Sequence, residues 1–150
     1  MIKLDAALSG VNSLGLDTAP IIYFTEANPN YDALVTEIFQ RIDAGVIESV
    51  TSVITLLEVL VMPLRSGDTA LQMKYTDLLL HSLHLETHTI TAEVVQRAAD
   101  LRARYNLRTP DALQAAVVIE AGCQAFLTND IALKRITELR VLVLDELELS

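Results

Sequence analysis

The sequence contains little cysteine and few basic residues, and it has no long apolar run. Its one cysteine, Cys123, excludes an intramolecular disulfide framework, and no set of cysteines and histidines has the spacing of a zinc site. No apolar run approaches about 18 residues, so the sequence predicts no transmembrane helix. The 11 Lys and Arg residues are outnumbered by 20 Asp and Glu residues, and the net charge of −9 argues against a generally basic nucleic-acid-binding protein. A glycine-rich phosphate loop and a GxSxG nucleophile elbow are also absent.

The sequence does contain enough apolar residues to form the core of one folded domain. The chain has 150 residues, of which 51% are hydrophobic, so we expect residues 1–150 to form a single domain with its own core. The N-terminal segment carries an early acid, Asp5, and no long apolar stretch, so it does not have the pattern of a signal peptide. We therefore expect a cytoplasmic protein.

Short apolar strands alternate with helices along most of the chain. We predict strands over 13–16, 46–51, 83–85, 124–128 and 140–144. We predict helices over 31–42, 69–80, 92–101 and 112–121, and short helices that start near 20 and after 130. A further helix passes through 58 and bends or ends at Pro63. This alternation predicts a mostly parallel sheet that is covered by helices on both faces.

Four carboxylates stand at positions where an α/β fold assembles a site. Their contexts, in chain order, are GLDTAPIIY for Asp17, TLLEVL for Glu58, RTPDALQAA for Asp111 and LTND for Asp130. Each of them follows a short apolar run or opens a helix after one. Because the carboxyl ends of parallel strands meet at one edge of a sheet, we expect these distant residues to converge.

A cluster of acids is costly in a folded protein unless a positive charge neutralises it. The simplest candidate is Mg²⁺ or Mn²⁺, because hard divalent cations prefer oxygen ligands. The sequence therefore favours a metal-dependent phosphodiesterase, and hence a nuclease.

Each acid also has a purely structural interpretation. Asp17 interrupts an apolar strand, where a buried acid needs a partner, so a functional role is favoured. Glu58 matches a capping box with Thr55, and Asp111 matches the acid that favours the first turn of a helix. Asp130 matches a plain N-cap, an interpretation that is slightly favoured when this residue is taken alone. The agreement of the four positions favours a shared site.

Polar and basic residues close to the acids are candidate supporting groups. Three polar side chains adjoin the acids and are predicted to orient ligands or a water; they are Thr18, Thr128 and Asn129. Three basic residues are the candidate phosphate contacts of this otherwise acidic protein; they are Arg108, Lys134 and Arg135. For most of the basic residues taken individually, ordinary solvated helix charge is the favoured interpretation.

The segments GLDTAPIIYF, VTSVITLLEVLVMPL, LRTPDALQAAVVIEAG and AFLTND, in this order, resemble the PIN domain, and most of all the VapC-type toxins of bacterial toxin–antitoxin pairs. The resemblance covers about 13–147, and the four motifs together are fairly specific, although each is weak alone. It implies a three-layer α/β/α sandwich with a mostly parallel central sheet, and a Mg²⁺- or Mn²⁺-dependent endoribonuclease that acts on RNA.

By motif, the resemblance assigns the family's quartet of acids to Asp17, Glu58, Asp111 and Asp130. Thr128 matches the hydroxyl residue that often precedes the last acid by two positions. We expect the three aspartates to bind one or two metal ions directly. Glu58 is expected to bind the metal directly or through water, or to orient the nucleophile.

The chain departs from the family pattern at two places. Ala19 stands where many relatives carry asparagine, so one polar contact of the site is missing. Residues 1–12 form an N-terminal extension before the first strand. If the chain is VapC-like, the helical pair around 58–80 is the expected surface for homodimerisation and for docking of a cognate antitoxin.

Two rival functions are compatible with parts of this pattern. One is a catalytically inactive PIN-like module that only binds a partner protein, against which the intact quartet argues. The other is a phosphoacceptor receiver domain, which also gathers acids and Mg²⁺ at strand ends. A receiver site requires a lysine at the end of a late strand, and the last predicted strand continues into LDEL without one.

Overall fold

The computed structural model describes all 150 residues and contains a five-stranded parallel sheet together with a separate pair of very short strands. The strands are β1 Ile2–Lys3, β2 Ser13–Leu16, β3 Glu48–Ser52, β4 Leu85–His88, β5 Ala125–Thr128, β6 Val141–Val143 and β7 Leu147–Glu148. The helices are α1 Leu4–Ala7, α2 Thr18–Thr25, α3 Asp32–Asp43, α4 Val53–Ser66, α5 Thr69–His81, α6 Ala92–Tyr105 and α7 Thr109–Glu120. Two 3₁₀ turns cover Ile131–Arg135 and Leu144–Glu146.

The central sheet has the strand order β4-β3-β2-β5-β6, and every neighbouring pair is parallel. Strand β2 is the middle strand, with Leu14 opposite Ser49 of β3 on one side and Ala125 of β5 on the other. Since all five strands run the same way, their carboxyl ends form one edge of the sheet. The predicted parallel sheet is therefore confirmed.

Helices cover the sheet on both faces, because successive side chains of a strand point to opposite sides. Leu14 and Leu16 of β2 and Leu127 of β5 belong to a cluster of 21 buried residues that also takes side chains from α1 to α5. Phe126 of β5 belongs to a second cluster of 12 buried residues, built with α6 and α7. The result is the expected three-layer α/β/α sandwich. None of the helices is at once long enough and apolar enough to span a bilayer.

The sequence predicted that the helix through 58 bends or ends at Pro63; helix α4 does not end there but continues to Ser66. A proline inside a helix removes its own amide donor and crowds the carbonyl one turn before it, but the Pro63 carbonyl itself remains in use. That carbonyl accepts hydrogen bonds from the Asp68 amide at 2.9 Å and from Gln72 Nε2 at 3.1 Å, which secures the turn into α5.

The strand expected over 83–85 starts later, at Leu85, and Leu83 is 81% exposed in the preceding loop. The alternating Leu83 and Leu85 therefore do not mark two positions of one strand. Helix α7 begins at Thr109, earlier than the predicted start at 112, and the Thr109 hydroxyl accepts a hydrogen bond from Arg102 Nη1 at 2.9 Å.

The N-terminal segment 1–12 packs against the rest of the chain. Strand β1 pairs with β7, with Ile2 opposite Leu147. Leu4 is fully buried, and Leu8 and Val11 belong to the same large apolar cluster. We propose that this segment is an integral part of a single domain that spans residues 1–150.

We expect Leu4→Ala to lower the free energy of unfolding by about 2–5 kcal/mol, because it removes a fully buried side chain and leaves a cavity. Urea denaturation monitored by circular dichroism measures the change. The matched control is Leu83→Ala, which alters an exposed side chain and should stay within about 0.5 kcal/mol of wild type. Equal effects for both variants would contradict the proposed role of the segment.

Helix α7 lies so close to β2 that a side chain at Gly15 has no room. A Cβ built at Gly15 would stand 2.4 Å from Val118 Cγ2 and 2.5 Å from Val118 Cγ1. This strand position therefore requires glycine for packing, whatever its backbone conformation.

We expect Gly15→Ala to lower the free energy of unfolding by about 1–3 kcal/mol, because the added methyl group overpacks the contact with Val118. The double variant Gly15→Ala/Val118→Ala should lose less than the sum of the two single changes, since the second change removes the clashing methyl groups. Denaturant titration of all four proteins tests this coupling, and simple additivity would show that the contact is not the cause.

Candidate active site

A pocket opens at the carboxyl edge of the sheet, where β2 and β5 end and α7 begins. Its walls are formed by Asp17, Thr18, Ala19, Ile22, Tyr23, Glu58, Arg108, Asp111, Thr128, Asn129 and Asp130. All four acids singled out in the sequence line this pocket, as do the three polar neighbours and one of the three basic residues.

Asp17 directly follows β2 and is the N-cap of α2. Its Oδ1 accepts a hydrogen bond from the Thr18 amide at 2.9 Å, and its Oδ2 accepts one from Thr128 Oγ1 at 2.7 Å. Burial raises the pKa of the Asp17 carboxyl above its ordinary value, and the charges of Asp111 and Glu58 act in the same direction. The hydrogen bonds from Thr128 and Thr18 lower this pKa and so offset part of the rise.

Glu58 lies in α4 with an exposed side chain, and its Oε1 accepts a hydrogen bond from Thr18 Oγ1 at 2.8 Å. The capping-box interpretation is wrong, because Ser52 caps α4 by accepting a hydrogen bond from the Ile54 amide. Thr55 is instead buried inside the helix. Glu58 therefore faces the rim of the pocket and does not serve the helix end.

Asp111 lies in the first turn of α7, and its carboxylate is engaged by Arg108 from the preceding loop. Arg108 Nε stands 3.0 Å from Oδ2, and Nη2 stands 3.3 Å from Oδ1. The Asp111 side chain is 14% exposed whereas that of Arg108 is 76% exposed, so the acid is held in the pocket and the guanidinium lies at its mouth. Because solvent screens the exposed guanidinium, the ion pair is weak, and Asp111 can exchange it for another partner.

Asp130 is the N-cap of the 3₁₀ turn over Ile131–Arg135, with its Oδ1 accepting a hydrogen bond from the Ala132 amide at 2.9 Å. The Asp130 amide donates to Thr128 Oγ1 at 3.1 Å, and the same hydroxyl donates to Asp17. Thr128 therefore links the first and last acids of the site.

Three other predicted residues form their hydrogen bonds and ion pairs away from the four acids. Asn129 bonds to the Tyr23 hydroxyl and to the Asp145 amide, so it holds the loop and contacts no acid of the pocket. Lys134 pairs with Glu146 at 2.6 Å, and Arg135 Nη1 donates to the Tyr105 carbonyl. The structure thus does not bring Lys134 and Arg135 into the pocket.

Sequence reasoning missed Tyr23 and Gln114. Tyr23 lines the pocket and stacks on Tyr31, with 4.2 Å between ring centroids. Gln114 lies behind the acids and is buried within α7. The available signal for Gln114 was a single amide in the apolar stretch ALQAAVVI, one turn after Asp111.

The donor set fits a hard divalent cation, since the four acids and their hydroxyl neighbours offer only oxygen ligands. No three acidic, histidine or cysteine side chains approach closely enough in the present side-chain arrangement to hold one ion together. Asp111 is paired with Arg108 in this arrangement, and joint ligation requires its carboxylate to leave that weak pair.

Comparison with known proteins supports the resemblance seen in the sequence. The family model of the PIN domain matches residues 15–139. No curated protein matches the chain significantly.

Among solved structures, the chain is similar to VapBC2 from Rickettsia felis bound to a promoter DNA fragment, with a TM-score of 0.70 and 20% identity over 87% of this chain and 98% of that one. It is also similar to VapC20, a sarcin–ricin-loop-cleaving toxin of Mycobacterium tuberculosis, with a TM-score of 0.65 and 17% identity over 85% and 98% of the two chains. DNA-bound VapBC from Salmonella typhimurium gives a TM-score of 0.62 and 18% identity over 96% and 99%. At these identities the structural likeness establishes the fold.

We expect Asp17→Asn to raise the free energy of unfolding at neutral pH in EDTA. The folded-state pKa of Asp17 lies above the ordinary value of 3.8, so ionisation penalises the folded state at neutral pH. The advantage of the variant should shrink as the pH falls toward 3.8, where both folded and unfolded states become protonated. Thermal melts over a pH series measure this, with the exposed Asp43→Asn as the control. A variant less stable than wild type at neutral pH would contradict the conclusion that the ionised Asp17 destabilises the folded state.

Proposed function

The chain belongs to the PIN domain family, whose members are nucleases, and from this premise we propose that it is a metal-dependent endoribonuclease that hydrolyses RNA phosphodiester bonds. The observation that carries the proposal is the convergence of four acids from distant parts of the chain on one pocket at the carboxyl edge of the sheet. The acids are Asp17, Glu58, Asp111 and Asp130.

In this proposal Asp17, Asp111 and Asp130 would hold Mg²⁺ or Mn²⁺ directly, with Glu58 as a further ligand or a water-mediated one. When bound, the ion supplies Lewis-acid polarisation of the scissile phosphate and lowers the pKa of the attacking water.

The chain's own residues would position the carboxylates, accept the proton of the attacking water and bind the phosphate. Thr18 and Thr128 hold the Asp17 carboxylate by hydrogen bonds to both of its oxygens. Glu58 keeps one oxygen on Thr18, which leaves the other free to orient the attacking water and accept its proton. Arg108, once released from Asp111, offers a planar fork of donors that matches two phosphate oxygens.

We further propose that the chain is the toxin of a toxin–antitoxin pair, acts in the cytoplasm and forms a homodimer. The support is the fold shared with VapBC structures and the number of exposed apolar side chains on α4 and α5, which are Leu57, Met62, Leu64, Met73 and Leu80.

A partner-binding module without catalysis is the second candidate. It is favoured by one observation, the engagement of Asp111 by Arg108 in an arrangement where no three acids are close enough to ligate an ion together.

The test is incubation of the purified protein with a mixed tRNA and rRNA pool in Mn²⁺, with an EDTA control. We expect discrete fragments that EDTA abolishes and that Asp17→Asn and Asp111→Asn reduce by more than the roughly 10–100-fold typical of outer-shell changes. Asp43→Asn removes an exposed acid outside the pocket and should cut like wild type.

Wild-type cleavage by both pocket variants would refute the site assignment. Retained Mn²⁺ binding without cleavage of any RNA would support the partner-binding module.

A further inference from the structure

Gln114 is a buried amide at the point where three elements of the site meet. It belongs to α7 and is 2% exposed, although it does not line the pocket itself. Its side chain contacts residues at the start of α2 and at the start of α4, and these are the elements that carry Asp17 and Glu58.

The Gln114 nitrogen faces three oxygens. Nε2 lies 2.6 Å from Thr55 Oγ1, 3.2 Å from Thr18 Oγ1 and 3.5 Å from Asp17 Oδ1. The Gln114 oxygen accepts a hydrogen bond from the Ser52 hydroxyl. All the polar atoms of this buried amide are therefore satisfied, as burial requires.

These contacts fix the orientation of the amide. A carboxylate only accepts hydrogen bonds, and an amide donates only from its nitrogen. The inverted amide would place Oε1 against the Asp17 carboxylate and would lose the hydrogen bond from Ser52. One orientation is therefore strongly favoured, with the donor toward the acids.

The orientation of the amide also sets the direction of the next hydrogen bond. Because Gln114 Nε2 donates to Thr18 Oγ1, the Thr18 hydroxyl has its own proton available for Glu58. Gln114 thus supports Asp17 directly and Glu58 through Thr18, and it joins two acids that lie 41 positions apart in the sequence.

We propose that Gln114 is the positioning residue of this site, fixing the carboxylates of Asp17 and Glu58 for joint binding of a divalent cation. The inference rests on the proposed function of these two acids. Gln114 itself touches neither the substrate nor the ion. Its loss should weaken the binding of the ion and slow turnover, whereas RNA binding through Arg108 should be little changed when the ion is saturating.

The experiment compares Gln114→Leu with wild type by calorimetric titration with Mn²⁺ and by steady-state RNA cleavage. We expect the Mn²⁺ dissociation constant to rise about 10–100-fold. In cleavage assays at saturating Mn²⁺, we expect kcat to fall and KM for RNA to stay within about twofold of wild type. The matched control is Gln72→Leu, the same chemical change at an amide that donates to the Pro63 carbonyl outside the pocket. This control should leave Mn²⁺ affinity unchanged.

A second pair of variants covers the case in which Gln114→Leu does not fold. Thr18→Val removes the hydroxyl that links Gln114 to Glu58, and Thr18→Ser retains it. We expect weaker Mn²⁺ binding in the valine variant and near wild-type binding in the serine variant.

The outcomes separate this inference from the proposed function. If wild type binds Mn²⁺ and neither Gln114→Leu nor Thr18→Val changes the affinity, the positioning role is refuted and the nuclease proposal stands. If wild type binds Mn²⁺ without cutting RNA, the affinity series still decides the role of Gln114. If wild type does not bind Mn²⁺, both proposals fail.

Discussion

The contact between Gly15 and Val118 is the constraint from which the rest of the site follows. It lets α7 lie directly against the middle strand of the sheet, and the two elements run in opposite directions from that point. Gln114 is four residues before Val118, a rise of about 6 Å along a helix. Asp17 is two residues after Gly15, about 6.6 Å along a strand. The two steps match, so the contact at Gly15 brings the Gln114 amide alongside the Asp17 carboxylate.

Hydrogen-bond donors around the carboxylates explain why the fold tolerates a cluster of negative charges. Asp17 is partly buried and repelled by neighbouring acids, which raises its pKa and penalises the folded state. Hydroxyl and amide donors compensate without adding charge. Thr128 illustrates the arrangement, because one hydroxyl donates to Asp17 and accepts from the Asp130 backbone. Such fully satisfied polar networks stabilise one arrangement of side chains over others, which a loosely packed acidic cluster cannot do.

The parts of the fold that sequence predicted were those with a local signal. The parallel sheet follows from alternating strands and helices, and Asp17 and Asp130 stand out because each interrupts or follows a buried strand. The pairing of β1 with β7 has no such signal, since two-residue strands show no periodicity and their partners lie 145 positions apart. Residue spacing suggested that Lys134 and Arg135 lie beside Asp130. Their ion-pair and carbonyl partners, which hold them outside the pocket, come from other elements that local spacing cannot reveal.

The site has a rigid half and an adaptable half. Asp17 and Asp130 each accept a hydrogen bond from a backbone amide, and both contact Thr128. Glu58 is exposed, and Asp111 is paired with the exposed side chain of Arg108. If the proposed function holds, a cation that takes Asp111 from Arg108 also frees that guanidinium for a phosphate. A phosphate that takes Arg108 likewise frees Asp111 for the cation. By linkage, each ligand must then raise the affinity for the other by the same factor. The weak Arg108–Asp111 pair would therefore make metal binding and RNA binding cooperative, and this exposed ion pair is the only protein contact that has to break.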